Sequence, residues 1–175
     1  HYQALNEALV TVGQEAVSRE DHEGKFNGLS TKQKLQLLGI PTDLANRIYQ
    51  EKQRITNEEV LKLEPVEQLK EVLRKLKEDG VILACASNSI RSTVKNALLK
   101  TGLLEYIDFY FSNEDVKNPK PSPEIYYRCM IAADAAVAET IIVEDGEYGK
   151  QAALKTGAKL IPVTCPEEVT YELLS

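Results

Sequence analysis

Nowhere in this 175-residue chain does an apolar run approach the roughly 18 residues that a membrane-crossing helix requires. No membrane partner is therefore expected. Cysteine is scarce: Cys85, Cys129 and Cys165 are widely spaced and odd in number. That usage fits buried thiols in a reducing compartment better than a disulfide framework or a zinc site. Basic charge is not in excess either. With 21 Lys and Arg against 27 Asp and Glu, the net charge is −6. A nucleic-acid backbone is thus an unexpected partner, although a local basic pocket could still bind a small phosphate. The opening residues HYQALNEALV lack the basic and apolar regions of a signal peptide, so the cytoplasm is the expected location. No Gly-x-Gly-x-x-Gly dinucleotide motif is present, since GEYGKQAALKTG (146–157) has another spacing and follows a late strand. Internal repeats and low-complexity tracts are missing too. What remains, 43% hydrophobic and 27% charged, is the composition of a globular protein. The length fits one domain, or one domain with an insertion.

The first part of the chain reads as helices only. Tyr2, Leu5, Leu9 and Val12 recur at helical spacing. Ser30 with Gln33 forms a capping box ahead of Leu35, Leu37 and Leu38, and Gly39 supplies a stop. Residues 41–55 form another amphipathic helix with Thr42 or Asp43 as its N-cap, and Thr56 with Glu59 repeats the box before Val60 and Leu61. After Pro65 the pattern changes to alternating helices and short apolar strands: 66–80 helical, Val81–Ala86 a strand, then Phe109–Phe111, Thr140–Val143 and Lys159–Val163 as further strands. That alternation means βαβ units and a parallel sheet. The expected fold class is α/β, with a helical cap over 1–64 and a Rossmann-like core over 65–175.

In an open parallel sheet, ligands bind beyond the carboxyl ends of the strands. Ser87 and Asn88 follow the strand VILACA, Lys120 stands in NPKPSPEIY, and Glu144 and Asp145 follow TIIV. Each has an ordinary alternative. Ser87 or Ser89 could cap the helix beginning near Ile90. Lys120 could be a surface lysine, although Pro119 and Pro121 shape its loop. The two acids could form a solvated turn. Together they point to chemistry: a hydroxyl and a lysine suit phosphoryl oxygens, and paired carboxylates suit Mg²⁺ at a site shared with phosphate.

The order and spelling of these segments resemble the haloacid dehalogenase superfamily, in the branch of small-molecule phosphatases and β-phosphoglucomutase-like proteins. ACASNS (84–89) is similar to that family's second motif, NPKPSPEIY (118–126) to the third, and VEDGEYGKQAA (143–153) to the fourth. HYQALNEAL (1–9) and FNGLSTKQKLQLLGI (26–40) resemble the helical cap of this branch. The resemblance implies that Ser87 binds the phosphoryl group, with Asn88 beside it contacting substrate. It implies that Lys120 holds the phosphate and balances the acids. It also implies that Asp145 binds Mg²⁺ directly and Glu144 through water. Gly146 stands where the family more often has Ser. Thr31 occupies a position where mutase-like relatives carry an Arg that reaches a far phosphate. Lys32 or Lys34 could replace that charge, and Lys32 is taken as a substrate-binding residue.

The family's first motif, Asp-x-Asp-Gly followed by Thr or Val, has no counterpart in the chain. The resemblance implies that its first Asp is the nucleophile, its second the general acid/base, and its strand central in the sheet. The chain is therefore expected to be a truncated form that begins after this strand, with His1 at the cap–core hinge. Each buried backbone group left unpaired by a missing central strand costs on the order of 1–3 kcal/mol. Two outcomes are expected: the flanking strands close on each other, or self-association supplies a strand from a second copy. The implied activity is Mg²⁺-dependent hydrolysis of a small phosphorylated metabolite through an aspartyl-phosphate, with this chain itself inactive. A phosphomutase and a catalytically inactive phosphate-binding or regulatory protein stay open as alternatives.

Overall fold

A computed structural model describes residues 2–26 and 30–174, so the His1 hinge role and the Asn27, Gly28 and Leu29 part of the cap motif lie outside the described residues. The chain divides into two compact units, His1–Lys62 and Leu63–Ser175, where the sequence places the change of pattern at 64/65. No helix among the described residues is long and apolar enough to cross a membrane.

The first unit contains α1 (Tyr2–Thr11), α2 (Arg19–Glu23), α3 (Thr31–Leu37) and α4 (Thr42–Leu61). α1 and α3 both pack on α4, burying Leu5, Leu9, Leu35 and Ile48 almost completely. Each such side chain contributes about 1.5–3 kcal/mol relative to exposure. The Ser30–Gln33 capping box forms at α3 as expected, and Gly39 takes a positive φ of 68° after it. Asn6 fixes the link between α1 and α2 by pairing its side-chain amide with both backbone groups of Val17 at 2.9 Å.

Two expectations for α4 fail. Pro41, not Thr42 or Asp43, is its N-cap, and the second capping box at Thr56 does not form because the helix runs on to Leu61. No glycine or proline stands between Pro41 and Pro65, and Arg54 bridges Glu51 and Glu58 across the presumed break. Thr56 is left inside a helix, 7% exposed, with its hydroxyl unpartnered.

The second unit contains α5 (Glu67–Glu78), β1 (Ala84–Ala86), α6 (Arg91–Lys100), β2 (Phe109–Phe111), α7 (Glu124–Ala133), β3 (Ile141–Glu144), α8 (Glu147–Leu154), β4 (Lys159–Pro162) and α9 (Tyr171–Leu174). All pairing is parallel: β1 with β2, in register Ala84 to Phe109, and β3 with β4, in register Ile141 to Lys159. β1 is shorter than the expected Val81–Ala86. Val81 and Ile82 have no ladder partner and are exposed, while Leu83 is held by Asp108, whose carboxylate accepts its amide at 2.8 Å.

The two strand pairs form separate sheets. Between β1 and β3 lies a cavity of about 740 Å³, lined by Ala84, Ala86, Ile142, Val143, Leu76 and Met130 among others. The flanking strands therefore do not close on each other as one of the two expectations had it. α7 is the reason. Its Ile125, Tyr126 and Met130 share one core cluster with Ile142, and Ala86, Phe111 and Leu160 pack against that cluster. One helix face thus touches both strand pairs, and the cavity between them remains as a slot.

Candidate active site

β1 ends at Ala86 and β3 at Glu144, on opposite walls of the slot. Lys120 reaches across this end. Its ammonium donates to the Ala86 carbonyl at 2.9 Å and to a carboxylate oxygen of Glu144. The pair is buried, with side chains 8% and 11% exposed. A lysine here is held by a chain of local constraints. Ser112, fully buried, accepts from and donates to the loop containing Asp115. Glu124 accepts the amides of Lys117 and Asn118 at 2.8 and 2.9 Å, and those two bonds hold its carboxyl below its ordinary value. Asn88 then pairs with both backbone groups of Lys120 at 2.9 Å. The Asn88 side chain is thus occupied in seating the lysine loop.

Glu144 is seated by several groups. Besides Lys120, the Tyr126 hydroxyl donates to the same carboxylate oxygen, and the Gly146 amide reaches the other at 3.3 Å. Burial, and then the bond to Glu144, push the Tyr126 phenol far up, so it acts only as a donor. The Lys120 ammonium also lies 4.7 Å from the Tyr126 ring centre, a cation–π contact. Gly149 closes the seat without a bond. A Cβ there would lie 2.0 Å from the Glu144 carboxyl carbon, so only glycine leaves room for the acid. Sequence reasoning passed over Tyr126 and Gly149. The signal for Tyr126 was its place in the first turn of α7, where it follows the lysine loop. For Gly149, only the folded carboxylate reveals the need.

Gly149→Ala is expected to evict Glu144 from its seat and to destabilise the unit by about 1–3 kcal/mol, the range for overpacking a buried site. Urea denaturation of the variant checks the loss. An unchanged midpoint would mean that Glu144 rotates away without cost.

Ser87 is half-buried, one residue beyond Ala86. Its amide donates to Phe111 at 3.0 Å, and its hydroxyl accepts the Ser89 amide at 3.1 Å. Neither serine caps α6. Ile90 is the N-cap, and the Arg91 amide goes instead to the Glu114 carboxylate at 2.6 Å. Asp145 is exposed at the strand end, and among the described residues its carboxylate has no hydrogen-bond or ion-pair partner. Ser87, Asn88, Lys120, Glu144 and Asp145 thus gather at one end of the slot. Lys32 stands exposed on α3 in the other unit.

No group of three or more metal-ligating side chains is found among the described residues. The two carboxylates differ in availability: Glu144 is engaged by Lys120 and Tyr126, while Asp145 is free to take a hard cation that keeps several waters. The donor set fits Mg²⁺ as a partial site, completed by further oxygens from substrate and solvent. Cys85 and Cys129 are not activated thiols. All three cysteines are free thiols, half-buried where full burial was expected. Burial pushes the Cys85 thiol up and that of Cys129 up to about 11, so both stay protonated near neutrality.

The family model for haloacid dehalogenase-like hydrolases matches residues 1–163. Among characterised relatives, the pyrophosphatase PpaX of Halalkalibacterium halodurans is 38% identical over 98 residues, covering 54% of this chain and 46% of that protein. A phosphorylated carbohydrates phosphatase of Thermotoga maritima is 29% identical over 130 residues, covering 73% of this chain and 59% of that one. The chain thus spans about half the length of these relatives. Among solved structures, a β-phosphoglucomutase from Clostridium difficile superposes with a TM-score of 0.79 at 18% identity, over 99% of this chain and 87% of that one. A family IA hydrolase from Entamoeba histolytica gives 0.77 at 22%, over 99% and 80%. At such identities the likeness is one of fold.

Proposed function

Because the chain belongs to the haloacid dehalogenase-like hydrolases, we propose that it carries the phosphate-handling part of a Mg²⁺-dependent phosphohydrolase acting on a small phosphorylated metabolite. One observation supports this above the others: the buried Lys120–Glu144 pair beside a free Asp145 at the end of the slot between β1 and β3. In this reading Lys120 and the Ser87 hydroxyl receive phosphoryl oxygens and offset their charge. Asp145 would hold Mg²⁺ directly, and Glu144 would act through a bound water. The ion would neutralise the charge of the transferring group. Tyr126 and Gly149 keep Glu144 oriented, and Asn88 keeps Lys120 in place.

The nucleophile is proposed to come from a strand that fills the slot. A parallel strand between β1 and β3 would deliver its carboxyl end beside Lys120, where an aspartate could take the phosphoryl group and later release it to water. The phosphomutase reading receives less support, because Thr31 replaces the arginine of the mutase-like pattern.

The test joins the chain to a preceding segment of about twenty residues bearing Asp-x-Asp-Gly, the length of one strand with its connection. Such a protein is expected to hydrolyse p-nitrophenyl phosphate only with Mg²⁺, and the 175-residue chain alone not at all. Asp145→Asn should cut Mg²⁺ affinity far more than Glu144→Gln, as read by calorimetric titration. Turnover by the unextended chain that survives Asp145→Ala would overturn the mechanism. Phosphate binding without turnover by the extended chain would favour the regulatory reading.

A further inference from the structure

The outer face of α7 is apolar where a solvated helix would be polar. Ile131 is 79% exposed, and Tyr127, exposed as well, stands one turn before it on the same face. The Tyr127 hydroxyl donates to the Lys155 carbonyl at 3.2 Å, which brings the end of α8 alongside. Leu154, next to that carbonyl in the chain, is 69% exposed. Single exposed apolar side chains are ordinary, but three gathered where two helices meet make a patch of the kind that interfaces bury.

Two charges bracket Ile131. Arg128 lies one turn before it and Asp134 one turn after, both exposed. Among the described residues, neither forms a salt bridge or a side-chain hydrogen bond. The nearest acids are engaged in their own loops, Glu124 by the Lys117 and Asn118 amides and Glu139 by the Ala136 amide. Asp134 is the C-cap of α7, with a φ of 51°. Asparagine or glycine suits such a left-handed position as well, and a carboxylate at the negative end of a helix is disfavoured. Local structure thus explains a short polar residue at this position but not its charge.

A second copy of the chain supplies the missing partner. When two copies of a helix pack antiparallel about a twofold axis, each residue before the axis meets the residue equally far beyond it on the other copy. Arg128 and Asp134 stand three positions to either side of Ile131, so with the axis there each arginine faces an aspartate. We propose that the outer face of α7 is a homodimer surface, on which a second copy lays its own α7 antiparallel, with Ile131 at the twofold axis and Arg128 paired with Asp134 on both sides. This face is opposite Ile125, Tyr126 and Met130, which point into the core, so the contact leaves the slot to its own occupant. The face is small for an interface, and the dimer is therefore a weak one, populated from about 100 μM upwards and dissociated in dilute solution.

The experiment is analytical ultracentrifugation of the 175-residue chain from about 10 μM to about 1 mM, the range of weak complexes. A monomer–dimer equilibrium is expected. Ile131→Asp, Arg128→Glu and Asp134→Lys should each weaken it at least about tenfold, since each charge reversal sets like charges against each other at both ends. An equimolar mixture of Arg128→Glu and Asp134→Lys should regain the affinity of the unchanged chain. In that mixed dimer the introduced acid faces the introduced base, and the native Asp134 faces the native Arg128. A folding defect in either variant cannot produce such a rescue, and far-UV circular dichroism checks each one alone. A chain that stays monomeric throughout, or a mixture no tighter than its two components, would overturn the proposal. Self-association that none of the three substitutions weakens would place the second copy elsewhere, in the slot, and would overturn it too.

Discussion

Replacing Lys120 with methionine is expected to lower the stability of the α/β unit by about 3–5 kcal/mol, because a buried carboxylate would lose the one cation paired with it among the described residues. The Lys120 side chain is 8% exposed and that of Glu144 11%, so water cannot take over. The Tyr126 hydroxyl and the Gly146 amide would still bond to Glu144, but neither carries a charge. The Ala86 carbonyl at the end of β1 would lose its donor as well. Adding Glu144→Gln to the variant should restore most of the loss, since replacing both members of a buried pair is far milder than removing one. Urea denaturation followed by far-UV circular dichroism measures all three proteins. A loss under about 1 kcal/mol in the single variant is the size seen for exposed pairs and would show that the pair is solvated.

An apolar strand supplied to the slot should raise the melting temperature by about 10–20 °C. About five net hydrogen bonds to β1 and β3, at about 1 kcal/mol each, correspond to about 2–4 °C per kcal/mol at this chain length. Ile141 and Val143 of β3, and Val81 and Ile82 before β1, are all more than a third exposed, and the strand would cover them. Binding of an apolar dye by the unextended chain should therefore disappear on extension. The melting point should also become independent of protein concentration. In the unextended chain a melting point that rises with concentration would reveal a second copy filling the slot, as open strand edges invite. Equal melting points and equal dye binding before and after extension would refute the strand-slot assignment.

Much of this was legible in local spelling. The Ser30–Gln33 box, the stop at Gly39 and the parallel βαβ order need only neighbours in sequence, and they stand as read. Of the residues read as one site, Lys120 and Glu144 are in contact across the two strand pairs, and the roles read for Ser87, Lys120 and Asp145 are the proposal made above. The readings that failed did so where a local signal met a longer-range one. Thr56 with Glu59 spells a capping box, yet an unbroken run of helix formers and the Arg54 bridges override it. Val81 and Ile82 spell a strand, yet a strand is a pairing, and these two have no partner.

By itself, the sequence determined which residue types stand at each strand end, and with them the resemblance to the family whose model matches residues 1–163. Tertiary structure alone decided how those residues are used. Lys120 and Glu144 lie 24 positions apart, and nothing local says that the lysine neutralises Glu144 and leaves Asp145 free. Gly149 looks like any helical glycine until the Glu144 carboxylate occupies the space of its missing side chain. The slot is likewise a property of α7, whose buried face touches both strand pairs and keeps them apart. In each case the deciding quantity is steric or electrostatic contact between distant segments, which the order of residues does not contain.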